Sequence, residues 1–471
     1  MNHRLLLLLL LAVPLSGCPT GDDDDSANDD DATADDDDGV PETYRFASRL
    51  GDGSDSVANS GQVFRHVLIS DMKSRIGGMT DRLDAGWFPV AGEVVGELDF
   101  YFAFDGSSAG SLDHGISTDP APLQTTYDDI ASGKDLVGKL AGNDAVGQHA
   151  DWSTDMVGWT ADGVTTPESL VRAWFAQVES QAIDWSNGDY PLDPAGAPVA
   201  AVYVTDDGTD LQQLIQKFLL GAVAFSQGAD DYLDDDTDGK GLRSDHSAVE
   251  DGANYTALEH AWDEGVGYFG MSRDYGQWTD AEIADLPGKD TVDVDGSIDL
   301  LKEAVWGHAV NAGKRDDCGD CAAPTDGTKR AWDAFVAGRA YIAGKTETLS
   351  DEEVSELAVF RDAALDAWEE AIAATVVHYI NDTIADLDAY EAGTGDFNDV
   401  AKHFSEMKGF ALSLQFNRLS PMSEAQFAEL HGLLGQAPGL DDVAGYQADL
   451  LDARALLGAS YGFAEGNLSG W

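Results

Sequence analysis

The longest helical pattern in the chain begins at a capping box, Ser350 and Glu353. It runs through Val354, Leu357, Phe360, Leu365, Trp368, Ile372, Val376, Tyr379 and Ile380 toward Tyr390. A run of that length suits a helical bundle better than an open sheet. Other apolar stripes repeat the spacing: Phe64, Val67, Leu68, Met72 and Ile76; Leu170 to Ala182, opened by Thr166 and Pro167; Leu211 to Ala222; and Ile298 to Ala309. Each places its apolar residues on one face of a 3.6-residue turn. Further helices are expected near 400–416, 423–434 and 442–457. Strand signal is confined to 97–105, where Leu98, Phe100, Phe102 and Phe104 alternate with polar or small residues, the pattern of a short hairpin or extended arm. The fold class read from these signals is all-α, with long loops at 105–125 and 186–198.

The 471 residues, 43% of them hydrophobic, supply a real core. The length exceeds the roughly 250–300 residues at which one core stops growing. Two packed sub-bundles are therefore expected within 40–471. Acidic residues number 87 against 27 basic ones, a formal charge of −60. Nucleic acid and anionic lipid surfaces would repel such a chain, and cations are its natural counterparts.

Residues 1–17 carry the marks of a lipoprotein signal peptide: Arg4, an apolar Leu5–Leu11 stretch, and Leu15-Ser16-Gly17 before Cys18. Cys18 is the expected lipidation site and mature N-terminus, so the membrane is met through a lipid anchor. Pro19 stands where an aspartate would favour retention at the inner membrane, so the outer membrane is expected, facing periplasm or exterior. Eleven aspartates crowd residues 22–38; without apolar partners they make 18–39 a disordered acidic tether.

Cys318 and Cys321 are spaced as CxxC. In an exported chain a local disulfide is the first reading, ahead of zinc, which lacks two further ligands at suitable spacing, and of redox chemistry, which lacks a βαβ setting.

Two HxxE-like turns are the candidate metal ligands. In Glu259-His260-Ala261-Trp262-Asp263-Glu264 a helix would put His260, Asp263 and Glu264 on one face; His403 and Glu406 repeat the arrangement. Facing each other, two such turns would hold iron or zinc with imidazole and carboxylate. The bland reading of each is a satisfied polar pair. His308 is a further histidine of interest. A calcium reading attaches to residues 234–245, which place Asp234, Asp236 and Asp238 at loop positions one, three and five, Gly239 at six and Asp245 at twelve.

Several segments together resemble a family of bacterial exported lipoproteins of unknown function, distantly similar to imelysins. They are Tyr44–Arg49, Gly61–Arg65 with Leu68–Asp71, Glu259–Glu264 with Gly267–Gly270, Asn311–Asp316, and Ser405–Phe410 with Leu414–Asn417. The resemblance implies paired helical bundles and a GxHxxE motif associated with iron uptake or metal binding. By position it reaches His260 and Asp263, and Glu264 by proximity; Leu258 stands where the motif has glycine.

No Ser-His-Asp order, phosphate loop or GxSxG elbow stands in the required context. Paired carboxylates of the kind that hydrolyse glycosides are too abundant in so acidic a chain to point to a site, which leaves a hydrolase a distant third reading. The sequence therefore predicts a non-enzymatic cell-envelope lipoprotein binding a metal ion or metal-containing ligand in a helical bundle. The competing expectation is a structural or adhesive surface module without metal.

Overall fold

The computed structural model describes residues 41–144, 146 and 148–471. The expected lipidation site Cys18, signal peptide and acidic tether lie outside the described residues.

The protein is all-α. Its principal helices are α1 (Ser60–Gly77), α2 (Glu93–Phe102), α3 (Pro167–Ser186), α4 (Leu211–Leu219), α5 (Ala257–Phe269) and α6 (Gly307–Asp316). They continue with α7 (Gly327–Ala343), α8 (Asp351–Glu391), α9 (Phe397–Ser413), α10 (Glu424–Leu434) and α11 (Val443–Tyr461). Among the described residues, β pairing is limited to isolated bridges. No helix there is long and apolar enough to cross a membrane.

Local chemistry sets the helix starts. Ser350 accepts from the Glu353 N–H while the Glu353 carboxylate accepts from Ser350, closing the capping box that opens α8. The same reciprocal pair forms at Thr166 and Ser169 before α3, with Pro167 at its first position, and at Thr256 and Glu259 before α5. At about 1.5 Å per residue, α8 is about 60 Å long. It is the spine against which α6, α7, α9 and α11 pack. Residues Val40–Trp471 form one compact unit, and their buried apolar side chains make one core cluster. Trp368 of α8, fully buried, donates its indole N–H to His308 Nδ1 of α6 at 2.8 Å. Burial pushes His308 down to about 3, so its ring accepts as neutral imidazole. That makes His308 a core histidine.

Two expected elements differ. Residues 97–102 belong to helix α2, because Val94, Leu98 and Phe102, four apart, are all fully buried on one face; helical spacing overrode the alternation. The stripe from Ile298 becomes helical only at Gly307. Before it, the Glu303 carboxylate accepts from the backbone N–H groups of Thr291, Val292 and Asp299 at 2.7–2.8 Å, which pins a loop.

Candidate metal centre

The helix that starts as α4 widens into π turns at Leu220–Phe225 and Gly228–Tyr232. Wide turns of this kind recur at functional sites. Three buried carboxylates lie in and just after the second turn: Asp230 and Asp234 face His149 and Arg418, whereas Asp231 pairs with Lys240. Gly228 permits the approach, since a Cβ there would stand 2.6 Å from the Trp368 ring.

His149 comes to this acidic turn from a distant loop. Its backbone N–H donates to Asp230 Oδ2 at 3.1 Å, and its Nδ1 lies 2.8 Å from Asp230 Oδ1. Nε2 lies 2.8 Å from Asp236 Oδ1 and 3.8 Å from Asp234 Oδ1. His149, Asp234 and Asp236 each offer one ligand atom within 4.8 Å of the other two. Among the described residues no other group of three such side chains meets that condition. One imidazole with carboxylate oxygens suits zinc, iron or manganese, whereas calcium takes oxygen alone.

The cluster is partly neutralised by protein. Arg418 Nη2 donates to Asp234 Oδ1 at 2.8 Å and to Asp235 Oδ1 at 2.6 Å; Arg361 Nη2 donates to Asp235 Oδ2 at 2.8 Å. Burial would raise Asp235, but the two guanidinium groups hold it below its ordinary value. Burial would lower His149, yet its hydrogen bonds to Asp236 and Asp230 outweigh this and raise it. Asp231 is pushed up to about 6 by burial even though the Lys240 ammonium bonds to it. The arrangement is one in which an imidazole and an arginine share the charge of several carboxylates, and where a divalent ion would replace the imidazole proton.

The calcium loop is only half assembled. Asp234 and Asp236 converge, with their backbone turn closed by the Thr237 N–H donating to Asp234 Oδ2 at 3.0 Å. Asp238 is exposed and does not join the group. A 3-10 turn at Gly241–Arg243 leads the chain away, and Asp245 accepts instead from Ser247 and Thr348. The twelve-position pattern therefore does not close around one point.

The HxxE turns do not meet. His260 Nδ1 lies 3.0 Å from the Ala58 carbonyl, its ring stacks on Tyr255, and Nε2 is 3.7 Å from Glu264. Glu264 in turn accepts from Gln62 Nε2 at 2.8 Å. Asp263 is consumed by other partners: Tyr44 OH at 2.7 Å and Arg339 Nε at 3.0 Å, with Arg339 also 3.3 Å from Glu259. His403 packs elsewhere, Nδ1 2.6 Å from Asp386 of α8 and its ring stacked on Tyr379. Glu406 pairs with Lys217 of α4 at 3.3 Å. The two turns share no partner, so the expected joint site of His260, Asp263, Glu264, His403 and Glu406 is not formed. Asp263 and Glu406 are satisfied by Arg339 and Lys217, cations that lie far away in sequence, and Glu264 by Gln62.

Cys318 and Cys321 are joined in a disulfide. His149 escaped sequence reasoning because it sits alone in a glycine-containing loop, more than 80 residues from its carboxylates. The partner of His403 was detectable: His378, Asp382 and Asp386 recur every fourth residue along α8.

The chain belongs to the family described as Domain of unknown function (DUF4856), which matches residues 168–464. That span contains the π turns and Arg418, and His149 precedes it. No curated protein and no solved structure matches the chain.

Proposed function

We propose that the protein is a lipid-anchored, non-enzymatic cell-envelope protein that binds a divalent transition-metal ion through His149, Asp234 and Asp236, with Asp230 orienting the imidazole. The observation that carries this reading is the convergence of one imidazole and two carboxylates within 4.8 Å just beyond the second π turn, with Asp234 buried and His149 and Asp236 exposed. A second carboxylate on the other imidazole nitrogen, Asp230 at 2.8 Å, is the usual companion of a ligating histidine. The anchor rests on the Leu15–Cys18 sequence, and a role in iron acquisition on the resemblance to imelysins. The metal role thus moves from the HxxE turns to the His149 cluster.

Elemental analysis of the protein purified without chelator tests the reading. Near-stoichiometric zinc, iron or manganese in the wild type, absent from His149→Ala, supports it; equal metal content in the two overturns it. One observation favours the competing role, a surface module without metal: Arg418 already supplies positive charge to Asp234 and Asp235. Metal-free wild-type protein would select that role.

A further inference from the structure

A cleft of about 460 Å³ lies between α1, α4 and α6, away from the His149 cluster. In a chain carrying −60, three lysines line it: Lys73, Lys217 and Lys314. Lys217, nearly buried, pairs with Glu406 at 3.3 Å. Neither Lys73 nor Lys314 forms an ion pair among the described residues, although most of the other lysines do. Asp285 is the one carboxylate residue of the lining. Burial and the nearby Lys217 push Lys73 down to about 8, and the same two causes lower Lys314. Glu406 pulls both back up, joined by Asp210 at Lys73 and by Asp285 at Lys314, but burial and Lys217 outweigh them, and an anion in the cleft would favour both charged forms.

The opposite end of the cleft is aromatic. His66 and Trp306 stack with their rings 10° from parallel, and Gly307 lets them close, since a Cβ there would meet His66 Cε1 at 2.6 Å. Trp306 holds its indole N–H buried and without a partner. Burial lowers His66 to about 4, so this end is neutral. From His66 to Lys73 on α1, and from Gly307 to Lys314 on α6, the separation is seven residues, about 10 Å of helix. Each helix turns one face to the cleft along that length.

We propose that this cleft binds a small organic phosphate, the phosphoryl oxygens among Lys73, Lys217 and Lys314 and an aromatic or apolar body against Trp306. Ammonium groups serve phosphate as point charges, and three of them around one end suit a group with three terminal oxygens better than a planar carboxylate. The remaining surface charge is screened beyond about 8 Å at physiological salt, so the local cations decide. The volume lies in the range of small-molecule sites.

Calorimetric titration of the full chain in chelator with phenyl phosphate, inorganic phosphate and phenol tests the proposal. Phenyl phosphate is expected to bind one equivalent, inorganic phosphate more weakly, and phenol not at all. Lys73→Gln and Lys314→Gln, at half-buried and exposed positions, should each weaken phenyl phosphate about tenfold, and His149→Ala should leave it unchanged. Absence of phenyl phosphate binding, or unaltered affinity in both lysine variants, overturns the proposal. Equal binding of phenol overturns the anionic end, and equal binding of inorganic phosphate overturns the aromatic end.

Discussion

Arg339 and Asp263 are both fully enclosed, and the guanidinium donates to the carboxylate from Nε at 3.0 Å. The same guanidinium reaches Glu259 and Ser56, while Asp263 accepts from Tyr44. This network fastens the segment ahead of α1 to α5 and α7. Removing one partner of such a pair leaves uncompensated charge in a low-dielectric interior. Arg339→Met is expected to destabilise the protein by about 3–5 kcal/mol, read as a lower urea midpoint. Asp263→Asn, which keeps the shape and a hydrogen-bonding side chain, should cost less.

Glu369 of α8 accepts from Tyr461 OH at 2.7 Å and also from Ser420 and Asn417. Those bonds favour the ionised form, but burial wins and pushes it up to about 7 from its ordinary 4.5. Between these values the native state binds more protons than the unfolded one, so stability falls as pH rises from about 4.5 to about 7. The loss is on the order of 3 kcal/mol. Glu369→Gln should flatten that part of a stability profile measured by urea unfolding; an unchanged slope would exclude Glu369 as its source.

Lys408 has its ammonium enclosed, 2.8 Å from His431 Nδ1. Burial pushes it down to about 7 from 10.5. Here the native state binds fewer protons than the unfolded state, so stability rises with pH across that window. Lys408→Met is expected to remove this rise and to raise the urea midpoint at pH 6, where the native lysine must hold its charge without a carboxylate.

Much of the helical frame was legible because its determinants are local. Ser350 with Glu353, and Thr166 with Pro167, announce helix starts from residues within one turn. Cys318 and Cys321 are close neighbours in sequence, and their disulfide needed no long-range information. Leu98 and Phe102 were misread because five residues satisfy both a two-residue and a four-residue period when Val94 is left out of view. The site was far less legible. Glu259-His260-Ala261-Trp262-Asp263-Glu264 has the chemistry of a metal ligand set, but Arg339, 76 residues beyond Asp263, turns its carboxylates into a structural ion pair. Asp234 and Asp236 were picked out by loop spacing, whereas His149 joins them through tertiary folding alone.

To ligate a metal through Nε2 while Nδ1 stays bonded to Asp230, protonated His149 must give up its Nε2 proton, and its carboxylate partners raise its affinity for that proton. Metal binding should therefore release protons and weaken as pH falls below neutrality, visible as buffer-dependent heats. Heats independent of buffer ionisation would argue that the imidazole is not a ligand.

Calorimetric titration of zinc into chelator-treated protein, wild type beside His149→Ala and Asp234→Asn, addresses the central claim most directly. One equivalent bound by the wild type, with binding lost or severely weakened in both variants, is the predicted result. Undiminished one-to-one binding in both variants, or no binding in the wild type, would contradict it.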